Sequence, residues 1–286
     1  MIFGLIAAVG WGSADYLGAL AGRRMGSIPT LVVGQVLSAA FITVVLLATG
    51  SSVGRLSGIV WIVLLNGVCT AVAYATHYRA LELGPVAVVS PISAAFAVPA
   101  IVLAVIVLHE RPNPVELVGI AVTLIGVMLV STDLRALRAG IRGHPAGLYW
   151  AIVSAFGFGL AAFLLGYVSQ RAGWIVGLWG SRMAQLACYV PLVLARPKEM
   201  GRLSTAGRTA ITLALAAGAA DIVGVTAYSY GAEQGFLTLV LAASAVFPLI
   251  AVVLSYRYLH ERLVPNQYGG IALVVAGLLL LGLGSR

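Results

Sequence analysis

Charge is what this 286-residue chain has least of. Only 9% of its residues are Asp, Glu, Lys or Arg, 17 of them basic and nine acidic. A soluble domain carries roughly 25% charged residues, because it must present a hydrated surface on every side. So few charges cannot cover a globule of this size, which excludes a soluble enzyme and a disordered chain. Cysteine is scarce too. Cys69 and Cys188 each fall inside an apolar run, where a free thiol behaves as a small hydrophobe. There is no CxxC and no Cys/His cluster, so the sequence predicts neither a metal site nor a disulfide framework. Also missing are a Walker A loop, a GxGxxG after a strand and a GxSxG elbow. ATP-driven transport and hydrolase chemistry therefore lack a motif, and the chain reads as a non-enzyme with no cofactor.

Hydrocarbon is abundant. Residues of the set AVILMFWYC make up 61% of the chain, and the mean hydropathy is +1.04. Such a chain has the lipid bilayer as its solvent. The net charge of +8 could suit nucleic acid, but no basic face exists to bind it. The basic residues instead come in small groups between long apolar runs: Arg23 and Arg24; Arg135, Arg138 and Arg142; Arg196, Lys198, Arg202 and Arg208. That is how spans are anchored at headgroups. Residues 1–21 end in Ala19-Leu20-Ala21, which mimics a signal-peptidase site. No basic segment precedes the run, and Asp15 interrupts it, so it reads as the first membrane span.

A helix needs about 20 apolar residues to cross the hydrocarbon core. The runs that fit are 1–21, 28–50, 57–79, 85–108, 115–132, 146–168, 174–195, 209–231, 236–259 and 267–284. They do not alternate as barrel strands would, so the expectation is an all-α integral membrane protein of ten transmembrane helices. The linkers, of which 133–145 and 196–208 are the longest, hold no room for a further domain.

The chain also repeats itself. His109-Glu110-Arg111 recurs as His260-Glu261-Arg262, 151 residues later, and the same offset aligns Gly84 with Gly235, Phe96 with Phe247, Gly119 with Gly270 and Gly126 with Gly277. An offset of 147 aligns Gly10-Trp11-Gly12 with Gly157-Phe158-Gly159. The expected organisation is a five-helix repeat over 1–132, a basic linker over 133–145 and a second five-helix repeat over 146–286. An odd span count per repeat makes the second copy enter the membrane from the other side. Such inverted repeats are an architecture of secondary transporters that work by alternating access.

Several stretches resemble the EamA-like branch of the drug/metabolite transporter superfamily. They are Gly10-Trp11-Gly12-Ser13-Ala14-Asp15-Tyr16-Leu17-Gly18 with Arg23-Arg24; Gly177-Leu178-Trp179-Gly180-Ser181-Arg182; Phe247-Pro248; and Leu259-His260-Glu261-Arg262 followed by Gln267-Tyr268-Gly269-Gly270. The resemblance covers essentially the whole chain. It implies a ten-helix carrier in the cytoplasmic membrane, often an exporter, with a central cavity between the halves. The implied partners are a small-molecule substrate and the bilayer; intramembrane carboxylates at Asp15 and Asp221 add protons as a candidate coupling partner. A homodimer is compatible with the sequence but not required by it.

The ionisable residues well inside spans are Asp15, His77, Arg182 and Asp221. A charge at a helix centre costs ~2.5–3.5 kcal/mol on insertion scales, so each is a functional candidate. Asp15 shares a helix face with Trp11 and Gly18, and it could carry a proton, pair a cationic substrate or serve as a fixed partner of an arginine. Gly18 and Gly22 form a GxxxG, expected to admit another helix closely. Asp221 shares a face with Gly224 and Tyr228, and the 151 offset sets these opposite Thr70, Ala73 and His77. A polar stripe in the same place in both repeats favours a shared cavity. Arg182 has Trp179 and Gln185 at i−3 and i+3, and its partner at the 147 offset is Gln35. It could bind an anionic group of a substrate or lock Asp15 or Asp221 in a salt bridge. His77, between Tyr74 and Tyr78, reads as an interfacial aromatic belt in preference to a relay. The two His-Glu-Arg tripeptides read as anchors of helix ends. Pro91, Pro99 and Pro248 mark the fourth helix of each repeat as a gating or cavity helix.

Orientation is in conflict. Loops after odd-numbered spans hold twelve Lys and Arg and the other side four, so the positive-inside rule puts both termini outside. The family resemblance puts them in the cytoplasm.

Overall fold

The computed structural model describes residues 1–83, 89, 92–132, 134, 145–259 and 263–284. The described residues contain no strand. Their helices are α1 Ile2–Met25, α2 Ser27–Thr49, α3 Val60–Leu83, α4 Ala97–Val107, α5 Pro114–Val130, α6 Pro145–Ala172, α7 Trp174–Ala195, α8 Pro197–Ser204, α9 Arg208–Gln234, α10 Leu237–Ser244, α11 Phe247–Leu259 and α12 Pro265–Gly284. Lipid offers backbone N–H and C=O groups no partner, so helices that satisfy them internally are the expected outcome. Seven stretches are long and apolar enough to cross a membrane: α1, α2, Val60–His77, Ala146–Ala172, α9, Leu237–Tyr258 and α12. Two shorter apolar stretches, Ile92–Val107 and Pro114–Val130, stand among them. Large apolar side chains such as Leu47, Leu194 and Leu279 are exposed on the outer surface, where a bilayer would cover them.

Three expectations shift. The run 236–259 is broken between Ser244 and Phe247, because Pro248 lacks the N–H that would continue the ladder. The segment 196–208 is not a plain linker: Pro197 opens α8, which is tied by an Arg196–Glu199 ion pair of 2.7 Å. Of the run 85–108, the structure describes Val89 and residues from Ile92 on, and α4 begins only at Ala97. Pro85, Pro91, the tripeptide His260-Glu261-Arg262 and residues 135–144 of the linker lie outside the described residues.

The packing is reciprocal. α1 runs antiparallel to α9, and Gly10 lies so close to Gly224 and the Ala220 carbonyl that a methyl group there would run into both. α3 meets α6 in the same way, with Gly157 against Ala73. The 147 and 151 offsets turn the first contact into the second. Likewise Gly12 abuts the carbonyl of Phe247, and Gly159 abuts the carbonyl of Phe96. α5 and α12 cross antiparallel, with Gly119 against the Gly277 carbonyl and Gly270 against the Gly126 carbonyl. The turns α1–α2 and α6–α7 each hinge on one glycine, Gly26 (φ 95°) and Gly173 (φ 86°), a backbone conformation that side chains with a Cβ resist. Gly18 and Gly22 do not bring a helix in. The nearest atom to a Cβ at Gly18 is 4.0 Å away, on Ala217, and at Gly22 the neighbours belong to Ser27 of the adjoining turn. The close approaches fall at Gly4, Gly10 and Gly12.

Candidate functional site: a cavity between the two halves

A cavity of about 790 Å³ lies between the halves. Trp11, Ala14 and Asp15 of α1 enter it on one side, with Asn66, Thr70, Tyr74 and His77 of α3. Phe158, Ala161 and Ala162 of α6, Ser181, Arg182 and Gln185 of α7, and Asp221, Val225 and Tyr228 of α9 complete the wall. The cavity extends toward the ends of α5, α11 and α12, where Ser131, Ser255, Leu263 and Gln267 line it.

Its charges are unevenly disposed. The guanidinium of Arg182 is 7% exposed, and each of its terminal nitrogens is committed. Nη2 donates to Asp221 Oδ2 at 2.7 Å, and Nη1 donates to Gln35 Oε1 at 2.5 Å and Gln185 Oε1 at 2.9 Å. Gln185 in turn donates to the Tyr189 hydroxyl at 2.7 Å. Of the two locking options open to Arg182 in the sequence, the structure therefore takes Asp221. Asp15 differs: it is exposed, it faces the cavity, and it makes no ion pair among the described residues. A lone carboxylate in an apolar surround is costly, and access to the cavity interior is what relieves that cost.

Aromatic rings supply the rest of the wall, again in matched pairs. Trp11 packs on Tyr228 with ring centroids 5.3 Å apart, and Phe158 packs on His77 at 6.0 Å. The two offsets carry one pair onto the other. Phe96 and Phe247, aligned at 151, meet at 5.9 Å. Tyr228 is fully buried and its hydroxyl donates to the Ala162 carbonyl at 2.8 Å. His77 Nδ1 shares a hydrogen bond of 3.0 Å with Ser93 Oγ. This sets it in the cavity wall, which the aromatic-belt reading did not foresee. Thr70 spends its hydroxyl proton on the Asn66 carbonyl at 2.8 Å, and Asn66 donates to the Ala161 carbonyl at 2.7 Å.

Eight of the ten residues singled out in the sequence line the cavity: Trp11, Asp15, Thr70, His77, Arg182, Gln185, Asp221 and Tyr228. Gln35 stands behind Arg182 as its acceptor. Trp179 turns toward α2, where its indole N–H donates to Thr43 Oγ1 at 3.2 Å. Positions i−3 and i+3 of a helix are about 120° apart on its circumference, so Trp179 and Gln185 cannot both face one cavity. Phe96, Phe158 and Phe247 went unassigned. The repeat held the signal for Phe158, which aligns with Trp11.

Away from this region, the first His-Glu-Arg tripeptide does more than anchor a helix end. His109 adopts a left-handed backbone (φ 54°), and Glu110 follows it into the protein at 7% exposure. Its carboxylate accepts from Leu237 N at 2.6 Å and Thr238 N at 2.8 Å. A side chain of the first half thus caps the α10 helix of the second, where unsatisfied N–H groups and the helix dipole favour an anion.

The reciprocal contacts and the shared cavity agree with comparison to known proteins. The family model for the EamA-like transporter family matches residues 1–132 and 145–283. The chain belongs to the EamA-like transporter family. It is a multi-pass membrane transporter, and nothing in that family's role calls for an enzyme. It is 20% identical over 206 residues to an uncharacterized transporter of Archaeoglobus fulgidus, a match that spans 72% of this chain and 69% of the relative. A solved crystal structure superposes with a TM-score of 0.78 at 16% identity, over 100% of this chain and 98% of the other. That likeness is one of fold.

Proposed function

We propose that this EamA-family chain is a secondary active transporter that exports a small organic metabolite, of about the size of an amino acid, across the cytoplasmic membrane. In this reading ten membrane spans form two inverted five-helix repeats, 1–132 and 146–286, joined by the basic segment 133–145. The reciprocal antiparallel contacts of α1 with α9, α3 with α6 and α5 with α12 support it. Rocking of the repeats about a central site gives alternating access. The observation that carries the reading is a cavity built from both halves that contains one compensated ion pair and one carboxylate, Asp15, without a partner cation among the described residues. Asp15 is the group that takes up and releases the coupling proton. Asp221 and Arg182 hold each other, with Gln35 and Gln185 accepting from the other terminal nitrogen of the guanidinium. Arg182 is then a fixed part of the wall and not the ligand of a substrate anion.

The test compares the medium of cells that produce the wild type or Asp15→Asn, matched for protein in the membrane, with and without an imposed pH gradient. The wild type exports a metabolite that the variant does not, and export follows the gradient. Wild-type export indifferent to the gradient would replace proton coupling with facilitated exchange. Full gradient-driven export by Asp15→Asn would remove Asp15 from the proton path.

A further inference from the structure

We infer that the cavity selects an organic monocation, an amine or ammonium attached to a flat apolar body, over anions and zwitterions of the same shape. The inference rests on the transport reading and adds the charge class of its ligand. Among the described residues, two carboxylates and one guanidinium face the cavity. The guanidinium and Asp221 neutralise each other at 2.7 Å. What is left over is the single negative charge of Asp15, open to the cavity. An entering anion meets Asp15 as a like charge, and Arg182 does little to offset it: its terminal nitrogens already serve three acceptors, and its Nε, without a partner among the described residues, is buried. A zwitterion gains at its ammonium what it loses at its carboxylate. A monocation alone completes the charge balance, in a low-dielectric region where an uncompensated charge is most costly.

The walls favour the same ligand. Trp11 precedes Asp15 by one helical turn, and side chains at that spacing lie about 5–6 Å apart. A cation held by the Asp15 carboxylate thus lies on the same helix face as an indole, whose ring quadrupole attracts cations at close range. Phe158 and Phe247 line the same cavity and offer faces for the apolar body. His77, in the same wall, has its Nδ1 engaged with Ser93.

The decisive experiment titrates the purified full-length protein in detergent with four probes of one shape: phenethylamine, phenylalanine, 3-phenylpropionate and 2-phenylethanol. Calorimetry should show phenethylamine binding at least ten-fold more tightly than each of the others. Asp15→Asn should bring the amine to the level of the alcohol, and Asp15→Glu should keep its preference. Asp221→Asn should weaken the amine and strengthen 3-phenylpropionate, because it frees the Arg182 donors. Equal binding of the four, tighter binding of the acid, no binding of any, or an amine preference that survives Asp15→Asn would each overturn the inference. Export is scored separately. Gradient-driven export by a protein that does not discriminate the probes rejects the charge class alone, whereas amine-selective binding without export rejects the transport cycle alone.

Discussion

Glu110→Gln should loosen the contact between the two halves, by an amount that the geometry bounds. In the native protein both carboxylate oxygens are used, one by Leu237 N–H at 2.6 Å and one by Thr238 N–H at 2.8 Å. Glutamine keeps one acceptor. Its amide group then faces the second N–H donor to donor, and a buried backbone N–H goes unpaired. The loss is one hydrogen bond to a charged group, about 1.5–3 kcal/mol, together with the charge–dipole attraction at the α10 N-terminus, about 0.3–1 kcal/mol. The sum is roughly 2–4 kcal/mol. Chains of 150–250 residues lose about 2–4 °C of melting temperature per kcal/mol, so the unfolding midpoint should fall by roughly 4–16 °C. Tryptophan fluorescence during heating in detergent reads this directly. Glu116→Gln is the control. Glu116 closes a capping box with Asn113 at the start of α5, and at the matching place of the second half Gln267 already accepts from Val264 N at 3.0 Å. That variant should melt close to wild type. If Glu110→Gln melts within about 1 °C of wild type, the cap does not hold the halves together and the argument fails.

Gly10→Ala should leave little folded protein, since its methyl would strike the Gly224 backbone, whereas Gly18→Ala, with 4.0 Å to its nearest neighbour, should be tolerated; the yield of monodisperse protein in detergent separates the two. Asp221→Leu should destabilise the fold by about 3–5 kcal/mol, because it strands the buried Arg182 charge, and Arg182→Met by less, because Asp221 is partly open to the cavity; the double variant should cost less than Asp221→Leu. Additive single losses in a thermal-unfolding cycle would refute that coupling.

The all-helical membrane architecture and the family were legible in the sequence, because the bilayer forces long apolar helices and so writes itself into composition. The charged members of the site were legible for the related reason that an ionisable group inside an apolar run needs a function to keep it there. What could not be read was direction around each helix. Periodicity put Trp179 beside Arg182, yet the structure turns it to Thr43 on α2. The Gly18–Gly22 spacing permits close packing without saying which neighbour uses it, and Gly10 and Gly12 are the glycines in contact. Glu110 and Leu237 are 127 residues apart in the chain, and no local pattern announces a cap supplied from so far away. The phenylalanines of the cavity were missed for a different reason, since uncharged rings do not stand out in a sequence this apolar.

The matched contacts have a consequence for how such a protein can evolve. If the cavity were assembled from two copies of one shorter chain, every residue chosen for one wall would be imposed on the other. Here the position that matches Asp15 is Ala162, whose carbonyl receives the Tyr228 hydroxyl, and the position that matches Asp221 is Thr70. The correspondence holds in the glycines that set helix spacing and fails where the charges are. The α1–α9 wall carries Asp15 and Asp221 while Ala162 and Thr70 stand at the matching places of the α3–α6 wall, so one wall can hold charge while the other is tuned for shape.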